Sequence, residues 1–162
     1  MKRVAQPNVL FVNIGWAPKY DGQQQIQGGH KDIKNQSGNP SKLGEGKAFI
    51  PDSNGQVRCV VGRCKVYPDS YIDVVFIARN PDKKRYEIVG IYFDCQFVYS
   101  SWTNRQGNTA IWADAITTHF RELLGDQRPS IVWPHGWSMR RWVSKRGHVR
   151  YPQLFHQYVA LI

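Results

Sequence analysis

The chain has 162 residues, of which 41% are hydrophobic and 13% aromatic, and its 22 Lys and Arg outnumber its 12 Asp and Glu for a formal net charge of +10. This length and composition predict a single folded domain over residues 1–162, and they argue against disorder and against a membrane-spanning segment. The positive excess is typical of proteins that bind polyanions, because each contact between a cation and a phosphate releases counterions.

The first predicted strand, Val9 to Ile14, is continuously apolar, so we expect it in the centre of a sheet. The composition from Gly15 to Gly46 changes to Gly, Gln, Asn, Ser and Lys, which predicts a long loop of the kind that often carries function. Two further strands are predicted at Ala48–Ile50 and Gln56–Val66, and Asn54-Gly55 is the signal for the turn between them.

A β-hairpin is predicted around Pro81. Its strands are Ile72–Arg79 and Tyr86–Phe93, and the residues between them are typical of a turn. Residues 96–99 extend the second strand past an expected kink at Asp94-Cys95.

The segment from Thr109 to Leu124 has apolar residues at helical spacing, with Gly125 able to end a helix. A closing helix is predicted over Tyr151–Ile162, with Pro152 in its first turn. Strands with one or two helices packed on them predict the α+β class, as a curved sheet or a small barrel.

The sequence contains no motif that predicts catalysis. It has no P-loop, nucleophile elbow, HExxH or CxxC pair, and its five histidines are scattered. The three cysteines, Cys59, Cys64 and Cys95, predict reduced thiols rather than a disulfide set or a zinc site. We therefore expect no catalytic residue, metal or cofactor, and, because the N-terminus lacks a signal-peptide core, a soluble cytoplasmic protein.

Aromatic and basic residues alternate from Trp133 to Arg150. This pattern suits a surface that follows a nucleic-acid backbone, but the indoles can equally pack in the core while the cations face solvent, and both can hold at once. The residues predicted to contact phosphates are Lys19, Arg63, Lys65, Arg140, Arg141, Lys145 and Arg146.

Three aromatic residues, Trp16, Tyr20 and Trp102, are candidates for an aromatic pocket. A base that is flipped out of a duplex offers two faces for stacking and one polar edge for hydrogen bonds. The side chains predicted to read that edge are Asn13, Asp21 and Asp94. A methyl group on the base adds apolar contact area at little desolvation cost. Ordinary core packing is the alternative for each tryptophan.

Several segments of the chain carry a resemblance to a known family. FVNIGWAPKYDG, then IQGGH, GEGKAFIPDSNGQVRCVV and VVFIARNPDKKRYEIVGIYFDCQFV resemble the PUA-like superfamily. Within it, the chain is most similar to the EVE-like or SRA-like readers of modified bases that are fused to HNH nucleases in modification-dependent restriction systems. The resemblance covers roughly the first two-thirds of the chain.

This resemblance implies a small curved β-barrel flanked by helices, with a concave pocket for a flipped, modified base. It implies that Trp16 and Tyr20 line the pocket, that Asp21 contacts the base edge, and that Tyr92 and Asp94 lie near the same cleft. Readers of this kind often have a neutral residue where this chain has Asp94. The chain also lacks an HNH motif, so a nuclease would be fused on another segment of a longer chain or supplied by an associated partner, or the chain would be a stand-alone reader.

The leading hypothesis is a module, without enzymatic activity of its own, that recognises a modified base in double-stranded DNA by base flipping. Three alternatives stay open: a YTH-like reader of methylated adenine in RNA, an enzyme that processes nucleic acid with the histidines and Asp94 as its site, and a protein-interaction module. The identity of the base and its substituent is not predicted.

Overall fold

The computed structural model describes residues 9–27, 45–62, 71–103 and 109–131. These residues form six strands and two short 3₁₀ helices, and they contain no α-helix. The strands are β1 (Val9–Asn13), β2 (Val57–Gly62), β3 (Ile72–Asn80), β4 (Arg85–Thr103), β5 (Thr109–Thr117) and β6 (His119–Glu122), and the 3₁₀ helices are Glu45–Lys47 and Gly125–Gln127. The fold is therefore mixed, with a predominant open sheet and few helical residues. No described helix has the length and apolar character needed to cross a membrane.

The sheet is built around the long strand β4. The strand order is β1-β3-β4-β5-β2, with β6 also paired to β4, and only the β1–β3 pair is parallel. Gln96 of β4 faces Ile116 of β5, and Phe93 faces His119 of β6. Three residues back along β4, from Gln96 to Phe93, correspond to three residues forward on the partner, from Ile116 to His119, so β5 and β6 follow β4 in one antiparallel register along a single edge.

The predicted hairpin around Pro81 is confirmed. β3 and β4 pair antiparallel, and Asn80 faces Arg85 at the turn. The Asn80 Oδ1 atom accepts hydrogen bonds from the backbone N–H groups of Asp82 at 3.0 Å and Lys83 at 3.1 Å. This side chain therefore fixes the start of the turn, as asparagine does in an Asx-turn.

The predicted kink at Asp94-Cys95 is also confirmed. Asp94 has a φ of 48°, and the pairing of β3 with β4 shifts register between Ile72 and Val74. Its backbone N–H donates to Oδ1 of Asp73 at 3.0 Å. Such bulges bend a strand and increase its twist, so β4 changes direction where its second half begins to pair with β5.

The predicted helix over 109–124 is wrong, because this segment forms β5 and β6. β5 is paired on both edges, with β4 on one side and β2 on the other. Ala115 and Thr117 are buried while Asp114 and Ile116 are partly buried, so burial alternates along this part of the strand with a period of two. Pairing with two distant strands outweighs the local helical pattern.

The expectation that the first strand is central is also wrong. Among the described strands, β1 pairs only with β3 and stands at the end of the strand order. Its apolar run has another cause: Leu10 belongs to one apolar cluster and Val9 to a second cluster. Because successive side chains of a strand point to opposite faces, both faces of β1 are covered here.

The third correction concerns Ala48–Ile50, which is not a strand. The chain turns here, with the Ala48 N–H donating to Glu45 O at 3.2 Å and the Ile50 N–H to Lys47 O at 3.1 Å. The turn at Asn54-Gly55 is present, and Gly55 has a φ of 73°. It leads into β2, whose partner is β5. The predicted closing helix and the basic segment after Ile131 lie outside the described residues.

Candidate base-recognition site

The loop that follows β1 is held at both ends by backbone hydrogen bonds. The Ile14 N–H donates to Ile77 O at 2.9 Å, which extends the pairing of β1 with β3 by one residue. Trp16 and Gln27 then exchange two hydrogen bonds of 2.8 Å. The Gly15 N–H donates to the Glu45 carboxylate at 2.5 Å. Residues 16–27 therefore form a closed loop with a defined shape, as expected for a loop that presents a site.

Trp16 and Tyr20, the two predicted pocket aromatics, are brought together by a third residue, Arg128. The Arg128 guanidinium carbon lies 4.8 Å from the centroid of the Trp16 ring and 5.8 Å from that of Tyr20. Both distances are within the range of cation–π attraction. The arginine therefore covers both rings.

Arg128 is itself buried, with 4% of its surface exposed, and it donates to three backbone carbonyls. Nε donates to Leu123 O at 2.7 Å, and the two terminal nitrogens donate to Ala17 O at 2.9 Å and Pro18 O at 2.8 Å. It forms no ion pair with a carboxylate of the described residues. Burial lowers the pKa of the Arg128 guanidinium, and its attraction to Tyr20 and the nearby carboxylates opposes that shift.

Tyr20 acts as the inner anchor of the loop. Its ring is 1% exposed, its hydroxyl donates to Gly15 O at 2.7 Å, and its backbone N–H donates to the Glu122 carboxylate at 2.8 Å. Burial raises the pKa of the Tyr20 hydroxyl well above its usual value, so it stays a donor at neutral pH. The structure thus places Tyr20 in the core rather than on an open pocket wall.

Tyr92 is likewise a core residue, with no exposed surface. Its ring meets Phe49 and Phe76 edge to face, at centroid distances of 5.7 and 4.6 Å, and its hydroxyl donates to Ala48 O. Phe49 also meets Tyr20 edge to face at 5.7 Å, so it joins the two tyrosines. Burial raises the pKa of the Tyr92 hydroxyl as well.

The close approach of Phe49 depends on Gly90. A Cβ atom at Gly90 would overlap the Phe49 ring and lie 2.9 Å from the carbonyl oxygen of Arg121. Only glycine fits between the ring and β6 at this point. The aromatic cluster, formed by Tyr20, Phe49, Phe76 and Tyr92, therefore packs directly against the backbone of β4.

The polar residues of the loop stay at the surface. Asn13 and Lys19 are exposed and Asp21 is partly exposed. Asp21 Oδ1 accepts a hydrogen bond from the Gln23 N–H at 3.0 Å, and its Oδ2 lies 4.0 Å from Lys19 Nζ. Trp16 keeps 9% of its surface exposed. Asn13 and Asp21 are therefore the predicted base-contact residues here that have accessible surface, whereas Trp16 is buried in the same apolar cluster as Tyr20.

Asp94 lies at the bulge of β4, where it is exposed and its N–H is bound by Asp73. Burial raises the pKa of Asp73, the hydrogen bond from the Asp94 backbone opposes this, and the negative charge of Asp94 adds to the rise. Cys95, the next residue, is buried, and burial raises the pKa of its thiol to about 12. Such a thiol is unreactive at neutral pH.

The remaining predicted site residues are placed only in part. Trp102 belongs to β4 and pairs with Ala110 of β5, but its side chain is not described. Six of the seven predicted phosphate contacts lie outside the described residues: Arg63, Lys65, Arg140, Arg141, Lys145 and Arg146. Within the described part of the chain, no group of three or more His, Cys, Asp or Glu side chains is arranged to hold a metal ion.

Arg128 is the site residue that sequence reasoning missed. It stands alone between Gln127 and Pro129, outside any periodic pattern or charged run. Its role depends on contacts with residues more than 100 positions away, so no local signal identifies it.

Comparisons with known proteins add no family to these observations. The chain matches no protein-family model, and no curated protein and no solved structure shows significant similarity to it. The resemblance to PUA-like readers therefore stays a prediction.

Proposed function

We propose that the chain binds nucleic acid and recognises a modified base at the Trp16 loop. One observation carries the proposal, the excess of 22 Lys and Arg over 12 Asp and Glu in a chain of 162 residues. A positive excess of this size is expected of a protein that binds a phosphate backbone.

The sheet topology supports a common location for part of this charge. Gly62 of β2 faces Trp112 of β5, and Thr103 of β4 faces Thr109 at the start of β5. The ends of β2 and β4 therefore lie at the same end of the sheet. The segments that begin there carry the predicted phosphate contacts Arg63 and Lys65 and a further cation, Arg105.

The Trp16 loop supports the base-recognition part of the proposal. Its backbone is fixed by Arg128, Tyr20 and Glu122, so a ligand at Trp16 meets an ordered surface and loses little affinity to ordering the loop. In this proposal the base stacks on the part of Trp16 that remains exposed, while Arg128 keeps its three backbone hydrogen bonds, and Asp21 or Asn13 reads the polar edge of the base. Tyr20 and Tyr92 support the loop from the core. The finer fold assignment, a curved PUA-like barrel, belongs to the same proposal.

Duplex DNA that differs only in base methylation tests this function. Affinities for unmodified, cytosine-methylated and adenine-methylated duplexes are measured by fluorescence anisotropy at one salt concentration, with single-stranded RNA of the same sequence in parallel. We expect tighter binding of one methylated duplex and loss of that preference in Trp16→Ala. Equal affinity for every modification state would leave a nucleic-acid binder but end the reader proposal. Preference for methylated RNA would favour the YTH-like alternative.

A matched variant separates stacking from folding. Tyr20→Phe keeps the buried ring and removes only the hydroxyl, which donates to Gly15 O. If Trp16 contacts the base and Tyr20 only supports the loop, Tyr20→Phe lowers stability while the methylation preference is retained. Loss of the preference in both variants at equal stability would instead show that the Tyr20 hydroxyl takes part in recognising the base.

A further inference from the structure

The turn of the β3–β4 hairpin carries a concentrated positive charge. Arg79, Lys83, Lys84 and Arg85, here called the tip cluster, are all exposed. They are four of the nine Lys and Arg among the described residues, and they fall within seven consecutive positions. The only exposed acid in the same stretch is Asp82. The tip is thus a basic point in the described part of the chain, whose other residues include five Lys and Arg and nine Asp and Glu.

Two members of the tip cluster are fixed by a buried acid. Lys83 Nζ and Arg85 Nε each lie 3.2 Å from Oε1 of Glu87, a residue that is 1% exposed. Asn80 Nδ2 donates to the other Glu87 oxygen at 3.3 Å. The side chains of Lys83 and Arg85 are nevertheless 45% and 49% exposed. They are oriented by Glu87 yet remain accessible to a partner.

The other two members, Arg79 and Lys84, have no ion pair or side-chain hydrogen bond with any described residue. Arg79 stands on β3 opposite Tyr86, and Lys84 has a φ of 52° at the end of the turn. Among the described residues, no side chain competes with an anion for these two charges. Because the turn is held by Asn80 and by strand pairing, little further ordering is needed when it binds.

We propose that the tip cluster is a phosphate contact of the bound nucleic acid, formed by Arg79 and Lys84 with Lys83 and Arg85 beside them. The proposal rests on the proposed nucleic-acid binding and adds to it a contact built on the rigid hairpin. Salt dependence is the diagnostic property, because each phosphate contact contributes about 0.9 to the slope of log affinity against log salt.

The test uses the full chain and a duplex of mixed sequence, with affinity measured from low to moderate salt. The variants are Arg79→Gln, Lys84→Asn and the double variant; asparagine is chosen at 84 because it tolerates positive φ. Arg58→Gln is the matched control, since Arg58, on β2, is also an exposed strand arginine, but its guanidinium lies 3.9 Å from the Asp52 carboxylate. Thermal unfolding checks that all variants fold.

We expect each single tip substitution to reduce the slope of log affinity against log salt by about 0.9. The double variant should reduce it by about 1.8 and lose roughly tenfold or more in affinity at 0.1 M salt. The control should leave the slope unchanged. An unchanged slope in the folded double variant, or an equal loss in Arg58→Gln, would overturn the tip contact while nucleic-acid binding stands. If the wild-type chain does not bind the duplex, both proposals are overturned. Binding to phosphatidylserine vesicles but not to the duplex would have the same consequence.

Discussion

The guanidinium of Arg128 lies 4.8 Å from the ring centroid of Trp16 and donates to the backbone carbonyls of Ala17 and Pro18 in the same loop. A residue from the 3₁₀ turn after β6 thus fixes both the ring and the backbone of the loop that follows β1. Any ligand that stacks on Trp16 binds a surface whose position is set by Arg128.

Replacing Arg128 is therefore expected to destabilise the fold. Arg128→Lys keeps the charge but cannot supply three donors in a planar fork, so buried carbonyls lose their partners. We expect a loss of about 2–4 kcal/mol in the free energy of unfolding, measured by urea denaturation. Arg79→Lys, on the exposed surface of β3, is the control and is expected to change stability by less than about 0.5 kcal/mol. Comparable small effects for both would show that the Arg128 bonds contribute little.

The substitution Gly90→Ala tests whether the aromatic cluster packs against β4 only when this position has no side chain. Gly90→Ala would force the Phe49 ring away from β4, with an expected cost of about 2 kcal/mol or more, because overpacking a core displaces its neighbours. Gly46→Ala is the control, since its Cβ would meet Ile26 Cδ1 at 3.4 Å, an ordinary contact. Replacing the clashing Phe49 ring by a smaller side chain, in Gly90→Ala/Phe49→Leu, should recover part of the lost free energy of unfolding. No recovery would mean that the strain arises from the backbone.

Glu87 is expected to make the hairpin sensitive to acid. Burial alone would raise the pKa of Glu87, but hydrogen bonds from Asn80, Lys83 and Arg85 outweigh it and hold the pKa below its usual value. The stability from a depressed pKa is present above the unfolded value of about 4.3 and is lost as pH falls through the folded pKa. The stability gap between wild type and Glu87→Gln, about 1–3 kcal/mol at pH 7, should therefore shrink below about pH 4. A gap that is constant from pH 7 to 3 would contradict this.

The buried tyrosine hydroxyls should resist ionisation. Burial raises the pKa of Tyr20 above its usual value, so the folded state disfavours tyrosinate, and stability falls as pH rises above about 10, where tyrosine ionises in the unfolded chain. While the protein stays folded, the tyrosinate absorbance gained up to pH 11 should be equal in wild type and Tyr20→Phe. A smaller gain in the variant would show that Tyr20 ionises in the native state. At neutral pH, loss of the hydroxyl bond to Gly15 should cost about 0.5–1.5 kcal/mol.

The sequence predicted the hairpin at Pro81 and the kink at Asp94 because both depend on short-range signals. Asn80 and Pro81 favour the turn itself, and the apolar, β-prone residues on each side of it predict the two strands. It failed at 109–117, where the decisive partners are β4 and β2. A local window contains the apolar spacing of this segment but none of its cross-strand partners.

By itself, the sequence determined the positive charge and the hairpin at the centre of the fold. Those properties follow from composition and from contacts between near neighbours. Only the tertiary structure decided that Tyr20 and Tyr92 are core residues and that Arg128 covers Trp16. Burial and stacking depend on which distant segments meet, and the meeting of residues 16–20 with Arg128 is set by the packing of the whole sheet.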